Sequence, residues 1–284
     1  CECIKEKVYF KIKDFKMMRF LLKSLRRQKI NWFKTFVINF KCLPFSQARH
    51  LPIHVFSNTI ISSYGHIVIK SDEICSGMIK IGRTNFFKGH KTYFVNAGII
   101  EFNGRFMVEG GSTINNMGGH ITFGPDSRIC EVCKVLVMGR LEIGQSTQIA
   151  FGSIIMDTDF HTVIDINDKK VRRPCMPIKI GAYNWFGNNC HIMKGTKTPD
   201  YTIVTAKSLC NKDYTQYPLY SVFAGTPAKW LVEGKRRVYN KVSCKNISDL
   251  FALNEDTKSV VVPEEIPNWD TFCLGGDEVL FTED

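Results

Sequence analysis

A step of six residues between apolar positions is the feature of this 284-residue sequence that most limits its fold. The steps join Ile180, Phe186 and Ile192 and then, after a short slip, Ile203 and Leu209. A helix repeats near 3.6 residues and a strand repeats at 2, so a period of six fits neither alone. It fits one side of a triangular coil, where a short strand and a turn point one residue inward. The period predicts a parallel β-helix of hexapeptide repeats.

The earlier part of the chain carries the same step in successive coils. Its inward positions are predicted at Phe102, Val108, Ile114, Phe123, Ile129, Val135, Ile143, Ile149 and Ile155. Coils follow each other at 20 or 21 residues, which is three sixes and a short corner loop. We therefore expect coils over residues 60–232, preceded by a basic, helical segment over 1–59. A short basic helix is expected near 231–240. The C-terminal unit, 233–284, is expected to contain a helix and an acidic extension.

Charge is distributed unevenly along the chain. The formal net charge is +11, with Lys and Arg concentrated in the first fifty residues and acids at the end. Within residues 18–40, aromatic residues and leucines are spaced among basic ones as in amphipathic helices. Such a helix is expected to cap the open edge of the solenoid. Contact with an anionic membrane is a second role for the same residues, and no nucleic-acid partner is expected.

The cysteines and the hydropathy bear on the compartment. Eleven scattered cysteines do not resemble a disulfide framework and indicate a reducing, cytoplasmic setting. The single CxxC, at Cys130 and Cys133, lacks a second pair, so buried repeat positions explain it better than a zinc or redox site. No run approaches the roughly 18 to 20 apolar residues of a membrane-spanning helix, and the first residues do not resemble a signal peptide.

A long interruption of the repeat stands out as a candidate functional loop. The pattern stops after Ile155 and resumes at Ile178. A loop of this length leaving a rigid solenoid is typical of a functional segment. The loop, at about 156–177, begins with the residues DTDFH.

The loop and the motifs after it resemble a known family. DTDFH, then NWFG at 184–187 and GTPAK at 225–229, follow each other as in the left-handed β-helix acyltransferases. The closest branch is that of the sugar O-acetyltransferases, which includes the galactoside, maltose and capsule-cluster enzymes. The resemblance covers roughly residues 60–232. It implies a homotrimer of left-handed coils, an exception to the usual right-handed crossover, with acetyl-CoA in the groove between subunits and no metal.

The same resemblance implies roles for individual residues. His161 is the expected general base, because a neutral imidazole accepts a hydroxyl proton, and Asp157 or Asp159 would orient its ring or serve only in a turn. Trp185 would line the cleft near the thioester or pack against the neighbouring subunit. Glu131 is matched to binding of the sugar or glycan acceptor. The positions matched to the cofactor are Trp185, Gly187, Asn188, Ala206, Asn211, Lys212 and Lys229.

One motif departs from the family, and three alternative functions fit parts of the chain. The usual GAGS reads TAKS at 205–208, so two glycines are lost. N-acetylation of an amino sugar nucleotide would use the same groove but usually comes with an added nucleotide-binding domain, for which 1–59 is too short. A γ-carbonic-anhydrase-type enzyme would need converging histidines, here His120, His161 and His191. A silent scaffold is disfavoured by the presence of both His161 and Trp185. O-acetylation in surface polysaccharide synthesis, in the cytoplasm or at the inner membrane face, is the favoured expectation.

Overall fold

The chain winds through three sheets in turn, one strand from each sheet per coil. The structure is a computed structural model, and it describes residues 29–84, 86, 89–252, 258–261 and 268–274. The predictions made for residues 18–28, and for much of the acidic extension, lie outside the described residues. Within the described part, the strands form sheets of nine, seven and five members.

The sheets run along the axis of the coil. The nine-stranded sheet contains β1 (Ile53–Val55), β4 (Ile79–Arg83), β7 (Phe106–Glu109), β10 (Ser127–Ile129), β13 (Gln148–Ile149), β16 (Trp185–Phe186), β18 (Ile203–Val204), β20 (Val222–Ala224) and β21 (Lys229–Val232). The seven-stranded sheet contains β2 (Thr59–Ser63), β5 (Thr92–Asn96), β8 (Thr113–Asn116), β11 (Lys134–Val137), β14 (Ile154–Met156), β17 (His191–Met193) and β19 (Leu209–Cys210). The five-stranded sheet contains β3 (His66–Ile69), β6 (Ile99–Phe102), β9 (His120–Phe123), β12 (Arg140–Ile143) and β15 (Ile178–Ile180).

The core consists of columns of apolar side chains along the axis. One column of paired residues in the nine-stranded sheet joins Val55, Ile81, Val108, Ile129, Ile149, Phe186, Val204 and Phe223, and all are buried. Each such burial contributes roughly 1.5–3 kcal/mol relative to an exposed side chain. Successive coils pair in parallel, as their registers show. The predicted fold class, an all-β solenoid of hexapeptide repeats with a helical N-terminal segment, is confirmed by this topology.

The inward positions of the last coils differ from those predicted. Val204 and Cys210 are each 1% exposed and point inward, whereas Ile203 and Leu209 lie on the outer faces. The step of six in fact continues without a slip from Ile192, because the intervening inward position is the buried Thr198. Its hydroxyl accepts a hydrogen bond from the Asn184 side chain at 2.6 Å, which stabilises a polar group in the core. Because Thr198 is polar, the apolar pattern of the sequence did not identify it as the inward residue of this repeat.

The three corners of the coil hold residues with positive φ. The first corner, between the nine- and seven-stranded sheets, has such residues at Gly111, Val132, Gly152, Asn189, Lys207 and Gly225. The third corner, between the five- and nine-stranded sheets, has them at Asp126, Ser146, Tyr183, Tyr201 and Tyr220. The second corner joins the seven- and five-stranded sheets and carries the long interruption. Corner turns thus recur in register and leave stacked edges along the solenoid.

A helix covers the first coil, as the sequence predicts. Helix α1 (Trp32–Cys42) begins after Asn31, whose side chain accepts from the Lys34 N–H, and a short α2 (Phe45–Ala48) follows. Asn39 of α1 donates to the Ile53 carbonyl at 2.7 Å and accepts from the Ile53 N–H at 3.1 Å. The helix therefore satisfies backbone groups at the open edge of β1, which would otherwise lack a partner strand.

The segment after the coils differs from the expected helix near 231–240. Residues Lys229–Val232 form β21, which pairs antiparallel with β20, and the helices lie later, at α3 (Lys241–Ala252) and α4 (Trp269–Leu274). Pairing with the last strand edge explains the difference, because that edge offers unpaired backbone groups. In the described part of the chain, no helix combines the length and apolar character needed to cross a membrane.

Candidate active site

The interruption at the second corner is a hairpin that stands off the coils. Isolated antiparallel bridges join Thr158 to Cys175 near its base and Ile164 to Val171 near its tip. Asp165 closes the tip, where its N–H donates to the Lys170 carbonyl at 2.8 Å. The loop predicted from the break in the repeat is therefore an ordered hairpin between β14 and β15.

His161 lies in a bend on the outgoing arm of this hairpin with an exposed side chain. The preceding residue, Phe160, has a φ of 61°, a conformation that aromatic residues rarely adopt. The Phe160 N–H donates to the Thr158 hydroxyl at 3.0 Å, which supports the turn. The imidazole is thus presented to solvent beside a sharp, locally stabilised turn, where an acceptor hydroxyl can reach it.

The two aspartates of the DTDFH motif fix the base of the hairpin. Asp157 is fully buried, and its carboxylate accepts the N–H groups of Met138 at 2.9 Å and Gly139 at 2.7 Å. Asp159 forms an ion pair with Lys194, whose ammonium also donates to the Arg173 carbonyl at 2.9 Å.

Neither carboxylate is hydrogen-bonded to the ring of His161 within the described residues. The structure therefore adds an anchoring role for Asp157 and Asp159. Their predicted role in orienting the imidazole stays a prediction.

Trp185 lies on the outer face of the nine-stranded sheet, with 36% of its surface exposed. Its register neighbours are Gln148 on β13 and Ile203 on β18. The guanidinium of Arg237 lies over its ring, with a distance of 4.9 Å from the central carbon to the ring centroid. The sequence motifs did not identify Arg237, because the contact joins two segments that no local pattern connects.

Three of the matched cofactor positions lie along the first corner on two successive coils: Gly187 is buried, Asn188 is half-buried and Ala206 is exposed. The Gly187 N–H donates to the Val204 carbonyl at 2.8 Å, and the Lys207 N–H donates to the Asn188 carbonyl at 2.9 Å. A Cβ at Gly187 would lie 2.6 Å from the Ala206 nitrogen, so only glycine lets the next coil approach this closely. Gly187, Asn188 and Ala206 thus form a closely packed strip of backbone along this corner, which we call the wall, and Ala206 is exposed on it.

The loss of two glycines does not remove this corner. Lys207, at the second lost glycine, keeps a φ of 59°. The hydroxyls of Thr205, at the first, and Ser208 lie 3.1 Å apart and link the two ends of the turn. The substitution also places the exposed Lys207 side chain on the wall, a cation that the sequence motifs did not assign to the site.

Two further matched cations lie at different corners. Lys229 is exposed at the start of β21, beside the first corner. Asn211 and Lys212 are also exposed, but they follow β19 at the second corner, where the Lys212 ammonium lies 5.5 Å from the ring centroid of Tyr214. The structure therefore brings Lys229, but not Asn211 and Lys212, to the corner that holds Gly187 and Ala206.

Glu131, matched to acceptor binding, is only 1% exposed. Its carboxylate accepts from the Thr84 hydroxyl at 2.6 Å and from the Phe86 N–H at 3.0 Å. A carboxylate enclosed in this way holds Thr84 and Phe86 against the first corner. Its contact with a sugar stays a prediction.

The neighbouring thiols and histidines do not form a recognisable metal centre. Burial, followed by the Glu109 charge, raises the pKa of Cys130 to about 11, and burial also raises the pKa of Cys133. Both thiols occupy buried repeat positions, as interpreted from the sequence. His120 lies on β9 and His191 on β17, in different sheets. Among the described residues, no three His, Cys, Asp or Glu side chains are grouped as metal ligands.

The hairpin and the wall lie at opposite edges of the seven-stranded sheet. The hairpin leaves the second corner after β14, whereas Gly187 and Asn188 lie at the first corner before β17. Strands of about four residues at ~3.3 Å each separate the corners by on the order of 13 Å. The base of the hairpin and the wall therefore lie at different corners of the same chain.

No protein-family model matches this chain. The chain is similar to the polysialic acid O-acetyltransferase of Escherichia coli O1:K1 / APEC, with 27% identity over 140 residues, which are 49% of this chain and 40% of that protein. The matched part thus spans about two fifths of the length of that curated relative.

Three solved structures also show likeness. The polySia-specific acetyltransferase NeuO has a TM-score of 0.43 and 22% identity, over 70% of this chain and 94% of its own. The polysialic acid O-acetyltransferase OatWY has a TM-score of 0.36 and 20% identity, over 70% and 95%. AntD, an N-acyltransferase from Bacillus cereus in complex with dTDP and 3-hydroxybutyryl-CoA, has a TM-score of 0.36 and 16% identity, over 71% and 88%. The curated relative and two of these three structures are thus named as acetyltransferases of polysialic acid.

Proposed function

We propose that this protein is an O-acetyltransferase that moves the acetyl group of acetyl-CoA to a sugar hydroxyl in surface polysaccharide synthesis. The observation that carries the proposal is the exposed His161 on an ordered hairpin of a hexapeptide solenoid that also offers a backbone wall at Gly187 and Ala206. The curated relative named for O-acetylation of polysialic acid supports the same reaction class. It also suggests a carboxylated glycan as the acceptor.

In this proposal His161 acts as the general base. Bound acetyl-CoA supplies a thioester that is already activated. The chain then has to accept the hydroxyl proton, align the acceptor and stabilise developing negative charge. His161 accepts the proton at a ring nitrogen. Asp157 and the Asp159–Lys194 pair hold the hairpin, so they act as positioning residues.

The first corner holds the cofactor in the proposal. The half-buried Asn188 and the exposed Ala206 lie on successive coils at this corner, and the amide-containing pantetheine arm of acetyl-CoA would lie along them. Lys207 and Lys229 lie beside this corner and would bind phosphates. Asn211 and Lys212, at the second corner, stay predicted cofactor contacts. Trp185 would close the wall near the reacting end.

The separation of hairpin and wall leads us to propose a homotrimer, in which the hairpin of one subunit meets the wall of the next. The outer face of the seven-stranded sheet supports this assembly, because a column of paired residues there is mostly apolar: Val95, Asn115, Leu136, Met156 and Met193. The hairpin tip also exposes Val163 at 63% and Ile166 at 83%. By contrast, the outer face of the five-stranded sheet carries ion pairs such as Lys70–Glu101 at 2.8 Å. Apolar faces of this kind mark contacts with another chain.

We also propose a cytoplasmic location with peripheral contact at the inner membrane face. The described cysteines, nine in number, are all free thiols, which fits a reducing compartment. The membrane contact was predicted for residues 18–40, of which 29–40 are described.

The proposal is tested by measuring release of the CoA thiol from acetyl-CoA with three acceptors: polysialic acid, a neutral oligosaccharide and an amino sugar nucleotide. We expect release with polysialic acid, and mass spectrometry should locate the acetyl group on a hydroxyl. Turnover only with the amino acceptor would instead support N-acetylation. Absence of acetyl-CoA binding by calorimetry would overturn both transferase functions.

The role of the base is tested separately. His161→Ala should lower kcat by at least about 10²-fold, as is typical for loss of a general base. His66→Ala is a matched control, since His66 is an exposed histidine on the five-stranded sheet. Near-full activity of His161→Ala, with an unchanged sedimentation coefficient, would show that His161 is not the general base.

A further inference from the structure

Helix α1 has two faces with different contacts. Its inner face is tied to the first coil by Asn39 and by Thr35, whose hydroxyl accepts from the Val55 N–H at 3.0 Å. These bonds fix how the helix is rotated about its axis. The opposite face is therefore held outward as part of a rigid end of the solenoid.

The outer face of α1 and α2 is a row of aromatic rings, which we call the aromatic cap. The exposed fractions are 51% for Trp32, 79% for Phe33, 48% for Phe36, 49% for Phe40 and 72% for Phe45. Ring centroids lie 6.4 Å apart for Trp32 and Phe36, 6.2 Å for Phe36 and Phe40, and 6.3 Å for Phe40 and Phe45. A contiguous apolar stripe of this kind on a surface marks an interaction site.

The stretch of chain that carries the aromatic cap has charges of one sign. Between Asp14 and Asp72 the sequence contains no aspartate or glutamate. The described cations of this stretch are Lys29, Lys34, Lys41, Arg49 and Lys70. Lys41 and Arg49 are exposed beside the row. The partner of the aromatic cap should therefore offer an apolar layer to the rings and negative charge to the neighbouring cations.

We propose that the aromatic cap is a docking surface for an anionic phospholipid bilayer. Phe and Trp rings enter the headgroup region, where Lys and Arg above them meet the lipid phosphates and carboxylates. A second copy of the chain fits less well, because residues 29–71, which carry the aromatic cap, contain cations and no acid, so two copies of this stretch would repel each other.

The direction of the solenoid axis extends this proposal, which rests on the proposed homotrimer for the number of docking sites. Parallel coils around a common axis place all three aromatic caps at one end of the assembly. Three weak sites in one plane bind far more tightly together than singly. Trp185 on β16 lies five strand-to-strand steps from β1, or about 24 Å at ~4.8 Å per step. An acceptor glycan anchored in the membrane would thus have to extend about 24 Å from the lipid surface to reach the coil of Trp185.

The test is flotation of the full chain with vesicles of phosphatidylcholine, with and without a third of phosphatidylserine. We expect the wild type to float only with the anionic vesicles, and less so at high salt. The double variant Phe36→Gln/Phe40→Gln should lose at least about tenfold in binding. The matched control, Val68→Gln/Ile99→Gln, removes two side chains of similar exposure from the five-stranded sheet and should float like the wild type.

Several outcomes would overturn the proposal. One is flotation of the double variant with wild-type affinity. Another is binding of poly(U) that the double variant loses while vesicles never bind, which would assign the aromatic cap to nucleic acid. A changed sedimentation coefficient of the double variant, without flotation of the wild type, would assign it to self-association. Acetyl transfer to a soluble acceptor is measured in parallel, so failure of the docking surface and failure of the proposed enzyme are separated.

Discussion

The guanidinium carbon of Arg237 lies 4.9 Å from the centroid of the Trp185 ring. The same group lies 4.4 Å from the ring of Tyr239, whose hydroxyl is 3.5 Å from the Asn184 carbonyl. Arg236, one residue earlier, lies over Tyr201 at 4.5 Å. The segment after β21 thus lies back across the coils and covers the tryptophan that the sequence motifs assign to the cofactor cleft.

Removal of the Arg237 side chain should lower the stability of the protein and make the Trp185 ring more accessible to solvent. We expect Arg237→Ala to lower the free energy of unfolding by about 0.5–1 kcal/mol, the usual size of an exposed cation–π contact. Acrylamide should quench Trp185 more strongly in a background where Trp32, Trp230 and Trp269 are replaced by Phe. Arg237→Lys, which keeps a cation, is the control and should show a smaller change. Unchanged quenching in Arg237→Ala would show that the contact does not shield the ring.

The buried Asp157 carboxylate should matter for stability more than Asp159. Asp157→Ala leaves two backbone N–H groups, at Met138 and Gly139, without their acceptor, and each such group costs about 1–3 kcal/mol. Asp159→Ala removes an exposed ion pair with Lys194, worth about 1 kcal/mol or less. Urea unfolding measures both. Equal effects of the two variants would contradict the anchoring role assigned to Asp157.

Substitutions at Lys207 can separate the contribution of its backbone conformation from that of its charge. Because asparagine tolerates positive φ, Lys207→Asn should keep the corner and change stability by less than about 0.5 kcal/mol. Lys207→Val should cost at least about 1 kcal/mol, since a β-branched residue is strained there. If the ammonium meets cofactor phosphates, Lys207→Asn should raise KM for acetyl-CoA by about tenfold with kcat retained. An unchanged KM would remove Lys207 from the site.

The apolar face of the seven-stranded sheet should control assembly. Leu136→Lys places a charge in the middle of that face and should convert a trimer to monomers in sedimentation velocity runs. Acetyl transfer should be lost with it, because the hairpin of one chain would then no longer meet the wall of the next. Thr122→Lys, on the charged face of the five-stranded sheet, is the control and should leave the trimer intact. A trimer that persists in Leu136→Lys would place the interface elsewhere.

The sequence was most informative where a local pattern repeats. Inward residues such as Phe102 and Ile155 followed directly from the step of six, and the break after Ile155 located the hairpin. The prediction failed at Ile203 and Leu209, because the buried Thr198 is polar and interrupts an apolar pattern without interrupting the fold. It also failed beyond Leu231, where pairing with the last strand replaced the expected helix.

The sequence by itself determined the coil, its corners and the position of the hairpin, because each depends on residues close together in the chain. Only the tertiary structure decided which side chains meet across coils. Arg237 reaches Trp185, and Asp157 reaches the Gly139 amide, because stacked coils bring distant segments to one surface. The same stacking places His161 and Gly187 at different corners, since chain order sets the spacing along the coil and three-dimensional winding sets the side on which each residue lies.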